Sequence, residues 1–158
     1  MLTLQKRLRN VQKKQKRKYS GKKKQHTLKT IIVIDPATKQ IVCIGVANGS
    51  THDFKMFKQL GLKIDEQTKF LADLGFLGIH KIHPNSQIPH KNSKKKPITK
   101  EQRKENKQLA KQRIPIEHVN RELKIFKILQ YPYRSRQKRF ALRVNLIAAI
   151  YNHNLIAA

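Results

Sequence analysis

Apolar and polar positions fall into blocks whose spacing changes along the chain. Residues 30–35, TIIVID, are β-branched and apolar, as a buried strand requires, and residues 41–47, IVCIGVA, repeat the pattern. The DPATKQ between them opens with Asp and Pro, which predicts a turn and an antiparallel hairpin, with Asp35 as a turn-former. Asn48, Gly49 and Ser50 end the second strand. Ser50 or Thr51 is placed to cap a helix over residues 53–60, apolar on one side through Phe54, Phe57 and Leu60. Residues 68–72, TKFLA, predict a short buried strand ending at Asp73. Thr99 and Gln102 have the spacing of a capping box, so a polar helix follows over residues 100–112. Pro115 suits a first helical turn and predicts a break at 113–115. Residues 113–129 then read as a helix, with Ile116, Val119, Leu123 and Phe126 on one core-facing stripe at about 100° per residue. A last apolar helix, residues 136–155, closes the domain through Phe140, Val144, Ile147 and Ile150.

The polar side of the 113–129 helix changes that picture. Arg113, Glu117, Asn120, Arg121 and Lys124 fall on a separate arc, so one carboxylate sits among cations. A solvated face with ion pairs one turn apart accounts for this arc in a generic helix. Here carboxylates are scarce, 9 against 36 Lys and Arg, so each one is conspicuous. Asp73 stands at the end of a buried strand before two glycines, DLGFLG. A charge there turns the chain or needs a partner or a metal, and strand ends are the usual edge for sites in open α/β sheets. Asp53 suits the dipole of its own helix N-terminus, with metal binding as the alternative. His80 and His83 have a metal-like spacing but lack a second ligand pair, and Cys43 reads as a core residue.

The net charge of +27 demands a polyanionic partner. No apolar run approaches the roughly 18 residues of a membrane span, which leaves nucleic acid ahead of a membrane surface. The candidate phosphate contacts are the basic run 13–24, including Lys22, Lys23 and Lys24, together with residues 94–96, Arg134, Arg136 and the cations around Glu117. A single Cys in 158 residues excludes an intramolecular disulfide and fits a reducing cytosol. The length fits one domain, residues 26–158, behind a basic segment 1–25 that is disordered or out of frame.

Four stretches, YSGKKKQHTLK, GSTHD, AD-x-GF-x-G and R-x3-EH-x5-K, resemble bacterial insertion-sequence transposases of the DDE superfamily endonuclease (Harbinger-like) type. Two positions depart from the pattern: Phe76 replaces a Tyr, and Ala110 stands where the family has a Tyr. The resemblance implies an α/β (α+β) fold, a ribonuclease H-like mixed sheet flanked by helices. It implies DNA strand cleavage and transfer, with Asp73 and Glu117 as catalytic metal ligands for Mg²⁺ or Mn²⁺. Arg113, Arg121 and Lys124 would handle DNA, and the protein would self-associate on DNA ends in the bacterial cytosol or nucleoid.

The family's first catalytic Asp lies in an opening strand, in Asp-x-Thr-Glu followed by Glu-Arg-Pro. Residues 2–11 here are LTLQKRLRNV, without an acid. The resemblance therefore implies a sheet incomplete at its N-terminal strand and a chain catalytically silent by itself. Codon degeneracy allows MLTLQKRLRNVQ, read one base earlier behind a G, to spell DADSTETIAERP, which holds both missing features. That predicts a frame change in the Lys/Gln-rich run 12–18. The alternative reading is a non-catalytic basic nucleic-acid-binding protein of ribosomal or chromatin type. Asp73 and Glu117 discriminate, since a simple binder has no use for carboxylates aimed at phosphates.

Overall fold

The computed structural model describes residues 2–8, 19–20, 25–94, 96–130 and 139–157, with the backbone course alone for 2–8, 19–20 and 25–26. The expected basic contacts Lys22, Lys23, Lys24, Arg134 and Arg136 lie outside the described residues.

The long strand β3 (Gln25–Ile34) is central. It pairs antiparallel with β1 (Leu2–Leu8) and with β4 (Ile41–Asn48), and near its start with β2 (Tyr19–Ser20). The hairpin expected from residues 30–47 is present and longer than the apolar blocks. Its turn is held by Asp35, whose carboxylate accepts from Ala37 N at 3.0 Å and Thr38 Oγ1 at 2.9 Å.

The opening strand expected to be missing is formed. Leu2 to Leu8 run in register against Val33 to Thr27. A ladder is made by backbone groups, and LTLQKRL has no Pro to interrupt it, so losing an acid does not abolish the pairing. A second, parallel pair joins β5 (Phe70–Leu71) to β6 (Ser86–Gln87). Among the described residues no ladder joins the two sheets.

Period-two alternation sorts β3 between two cores. Leu28, Ile32 and Ile34 pack with Ile116, Val119 and Leu123 of α3 (Ile114–Leu123) and with Phe140, Val144, Ile147 and Tyr151 of α5 (Phe140–Ala157). Ile31 and Val33 pack on the opposite side with Met56 and Phe57 of α1 (Asp53–Leu60), and with Phe70, Phe76 and Ile79. β5 obeys the same rule, since Phe70 enters the α1 core and Leu71 the α3 core. Both sheets thus lie between a layer holding α1 and a layer holding α3 and α5.

The remaining elements match the reading of the sequence with three corrections. The capping box at Thr99 and Gln102 opens α2 (Lys100–Gln112), and the chain breaks at Arg113 before α3. The stripe Ile116, Val119, Leu123 is fully buried, but the helix stops at Leu123 and resumes as the short α4 (Lys127–Gln130), so residues 113–129 are not one rod. The cap of α1 is His52, whose Nδ1 accepts from Phe54 N, rather than Ser50 or Thr51. The strand before Asp73 is shorter than TKFLA, because Thr68 N is drawn into a turn with Asp65 O. No helix among the described residues is long and apolar enough to cross a membrane.

Candidate active site

Alternation along β5 aims the chain at the site. Phe70 faces α1, Leu71 faces α3 and Ala72 faces α1 again. The next residue, Asp73, therefore comes off the strand end on the side of α3. Its backbone stays extended, and its Oδ1 accepts from Leu74 N at 2.7 Å, capping the 3₁₀ turn Leu74–Phe76. Phe76 drops into the α1 core with no exposed surface and pins the turn.

On the other side stands the α2–α3 junction. Arg113 ends α2, its N–H bonded to Leu109 O and Ala110 O at 3.1 Å each. Its side chain runs to Asp73, Nη1 to Oδ1 at 3.5 Å, with the guanidinium side 17% exposed and the carboxylate 52%. A second tether, Lys69 Nζ to Gln112 Oε1 at 3.4 Å, ties the start of β5 to the same junction. Glu117 follows Arg113 by one turn, about 6 Å along the axis. It is exposed in the first turn of α3, near the positive end of the helix dipole. The structure thus brings Asp73 to the end of the helix that carries Glu117, by way of Arg113. Arg121 and Lys124 are exposed near the end of α3. The ladder of pairs along α3 does not describe Arg113, whose described partner is Asp73 on another element.

Arg113 is under-used. Its Nε is buried with no described partner, and its described ion pair is long. Both described side-chain contacts of Asp73 fall on Oδ1 and leave Oδ2 without a described donor. Beside the junction a groove of about 450 Å³ is lined by Lys69, Gln87, His90, Gln108 and Gln112 among others. Its wall is fixed by His90 Nε2 on Glu105 Oε2 at 2.7 Å and by Asn106, which holds both the N–H and the carbonyl of His90.

The histidine pair is not a metal pair. His83 is buried, its Nε2 lies 2.6 Å from Thr68 O, and its ring meets Phe70 edge-on, while His80 is exposed. Cys43 packs at the edge of the α1 core, and burial pushes its thiol pKa up. Among the described residues no group of three or more His, Cys, Asp and Glu side chains converges.

The sequence offered no role for Lys29. It stands in register with Ile31 and Val33 on the face covered by α1, 7% exposed. A buried ammonium needs partners. It donates to Asp53 Oδ1 and to Thr51 O, both at 2.6 Å. The two stretches YSGKKKQHTLK and GSTHD meet in this pair. A Lys at an inward-facing strand position was the available signal.

The family described as DDE superfamily endonuclease matches residues 3–152. The chain is 52% identical over 143 residues to a protein of Microchaete diplosiphon named "Probable transposase for insertion sequence element IS702". That match covers 90% of this chain and 52% of the relative, so the chain spans about half the relative's length. No solved structure matches.

Proposed function

The chain belongs to the DDE superfamily endonucleases, and from that premise we propose that it is the DNA-engaging part of an insertion-sequence transposase with an incomplete metal site. Asp73 and Glu117 are its two metal-holding carboxylates. The ribonuclease H-like arrangement belongs to the same reading. It is supported by an antiparallel sheet and a parallel pair lying between helical layers.

The contact of Arg113 with Asp73 carries the proposal. It joins the strand-end Asp to the helix of Glu117 across 40 residues of sequence. Hard carboxylate oxygens suit Mg²⁺ or Mn²⁺, and Mg²⁺ is held by one or two carboxylates with water in the remaining positions. Oδ2 of Asp73, which has no described donor, and the exposed Glu117 are the oxygens proposed to hold one such ion. They do not fit two, which would need a bridging carboxylate that residues 2–11 do not contain. When bound, a divalent ion supplies Lewis acidity toward a phosphodiester.

The remaining work falls to the chain's own cations. Arg113, whose side chain is partly exposed beside Asp73, offers its outer Nη N–H groups to a phosphate oxygen. Arg121 and Lys124, farther along α3, extend the contact along the DNA backbone. Self-association on DNA ends is part of the same proposal.

Duplex binding across salt concentrations and nicking of supercoiled plasmid with Mg²⁺ or Mn²⁺ test this. Log affinity should fall with log salt at about −0.9 per neutralised phosphate. A flat response between roughly 50 and 200 mM salt would refute the DNA interface. Cleavage by the chain alone would refute its catalytic silence. The second reading, a basic binder without metal chemistry, draws on the acid-free LTLQKRL of β1. It gains if Asp73→Asn and Glu117→Gln change neither DNA binding nor the response to Mn²⁺.

A further inference from the structure

We infer that Lys29 and Asp53 are positioning residues for the Asp73 carboxylate, acting through Gly75 as a strut beneath the turn. The inference rests on the metal-site reading of Asp73 and Glu117.

Each end of the strut is anchored. Lys29 is fixed in the central strand by pairing on both sides, with Lys6 in β1 and Ala47 in β4. Its ammonium is held by Thr51 O and Asp53 Oδ1, so it has little freedom to swing. Asp53 opens α1 and is 19% exposed. Its other oxygen, Oδ2, lies against Gly75, where an added Cβ would run into it. Gly75 is the middle residue of the 3₁₀ turn that Asp73 caps. The turn is therefore gripped from two directions. Phe76 is sunk in the α1 core, and Gly75 rests on a carboxylate whose position a buried lysine sets.

This arrangement resolves what Asp53 does. With Oδ1 on Lys29 and Oδ2 against a backbone, it is spent as a strut and is not a free ligand. Lys29 also balances its charge, so the anionic character at the strand end stays with Asp73. Gly75 is required because the approach leaves no room for a side chain.

The probe is Mn²⁺ bound to the full chain, followed by electron paramagnetic resonance and by the melting midpoint. Asp73→Asn sets the premise: if it binds Mn²⁺ as wild type does, the metal-site reading itself falls. With that premise met, Lys29→Met, Asp53→Asn and the double variant should each weaken Mn²⁺ binding about 10–100-fold. The double should be no weaker than the worse single, because the two residues act as one unit. Its midpoint should recover relative to the singles, since removing both members of a buried pair leaves no lone charge. A double variant of recovered stability that binds Mn²⁺ like wild type would reduce the pair to a stability role and overturn the inference. So would loss of binding in Asp53→Asn with none in Lys29→Met, which would make Asp53 a ligand. Gly75→Ala keeps both charges and forces the turn and the Asp53 carboxylate apart. It should weaken Mn²⁺ binding as well, and wild-type affinity there overturns the inference even if the other variants fail to fold.

Discussion

Neutralising Asp73 and Glu117 separates a metal role from a structural one, because neither side chain contributes much to the fold. The perturbations are Asp73→Asn and Glu117→Gln. Asparagine caps a helix about as well as aspartate, so the bond from Leu74 N survives in Asp73→Asn. What is lost is an ion pair with Arg113 at 3.5 Å, with the carboxylate half exposed. Solvent screening holds such a pair to about 0–1 kcal/mol. Glu117 is exposed, and its change should lie within about 0.5 kcal/mol. A domain of this size shifts its midpoint by roughly 2–4 °C per kcal/mol. Without metal, both variants should therefore melt within about 4 °C of wild type. Mn²⁺ at about 100 times its dissociation constant stabilises a one-site protein by about 2.7 kcal/mol, or about 5–11 °C here. Differential scanning fluorimetry with and without Mn²⁺ reads both quantities. The wild-type shift should collapse in each single variant. A full shift retained in either variant would refute that residue as a ligand. A large loss of midpoint without metal would show that its role is structural.

Three further predictions follow from other parts of the fold. The amide of Asn152 in α5 spans both backbone groups of Ile41, accepting from N at 2.8 Å and donating to O at 2.9 Å, so Asn152→Ala should cost about 2–4 kcal/mol in urea unfolding, and a loss below about 0.5 kcal/mol would contradict the bonding. Bonds from Ala37 N and Thr38 hold the Asp35 carboxyl below its usual range, so its contribution is present above the unfolded-state pKa and is lost as pH falls through the lowered folded value; Asp35→Asn should remove that part of the acid loss, and an unchanged acid limb of the pH–stability profile would contradict it. Backbone register sets position 3 opposite Ile32 of the central strand, within the strand that lacks an acid; Thr3→Asp should raise Mn²⁺ affinity on the order of tenfold, and no change would place the missing carboxylate elsewhere.

Much of this arrangement was legible because local chemistry and global packing agree. TIIVID, IVCIGVA and the Ile116, Val119, Leu123 stripe carry the period of the element they form, and each ends up in a core. Thr99 with Gln102, and Pro115 after Arg113, mark helix ends through backbone bonding that residues a few positions apart decide. The misses are tertiary. The 113–129 pattern continues apolar through Phe126, yet the chain turns after Leu123, and no residue in that stretch is a breaker. His52 rather than Ser50 caps α1 because the chain's approach decides which side chain reaches Phe54 N. The pairing of Lys29 with Asp53 spans 24 residues, and that of Arg113 with Asp73 spans 40. Periodicity gives a face, but not what another element brings to it.

The opening strand shows how fold and chemistry come apart. Its seven residues match β3 one for one, and the family match begins within it, at residue 3. Strand pairing asks only for N–H and C=O groups in an extended chain, and a sequence with the wrong side chains can still supply them. A metal site asks for a particular oxygen at a particular position, and one substitution removes it. The elements that bring Asp73 to Arg113 at the start of α3 are β5, its 3₁₀ turn and the α2–α3 junction, and none of the described side-chain contacts at Asp73 involves β1. On the proposed metal-site reading, a chain that keeps the Arg113 contact and the Lys29–Asp53 pair keeps the scaffold of the site and lacks one of its ligands. Restoring an acid in β1 tests the ligand count without disturbing that scaffold.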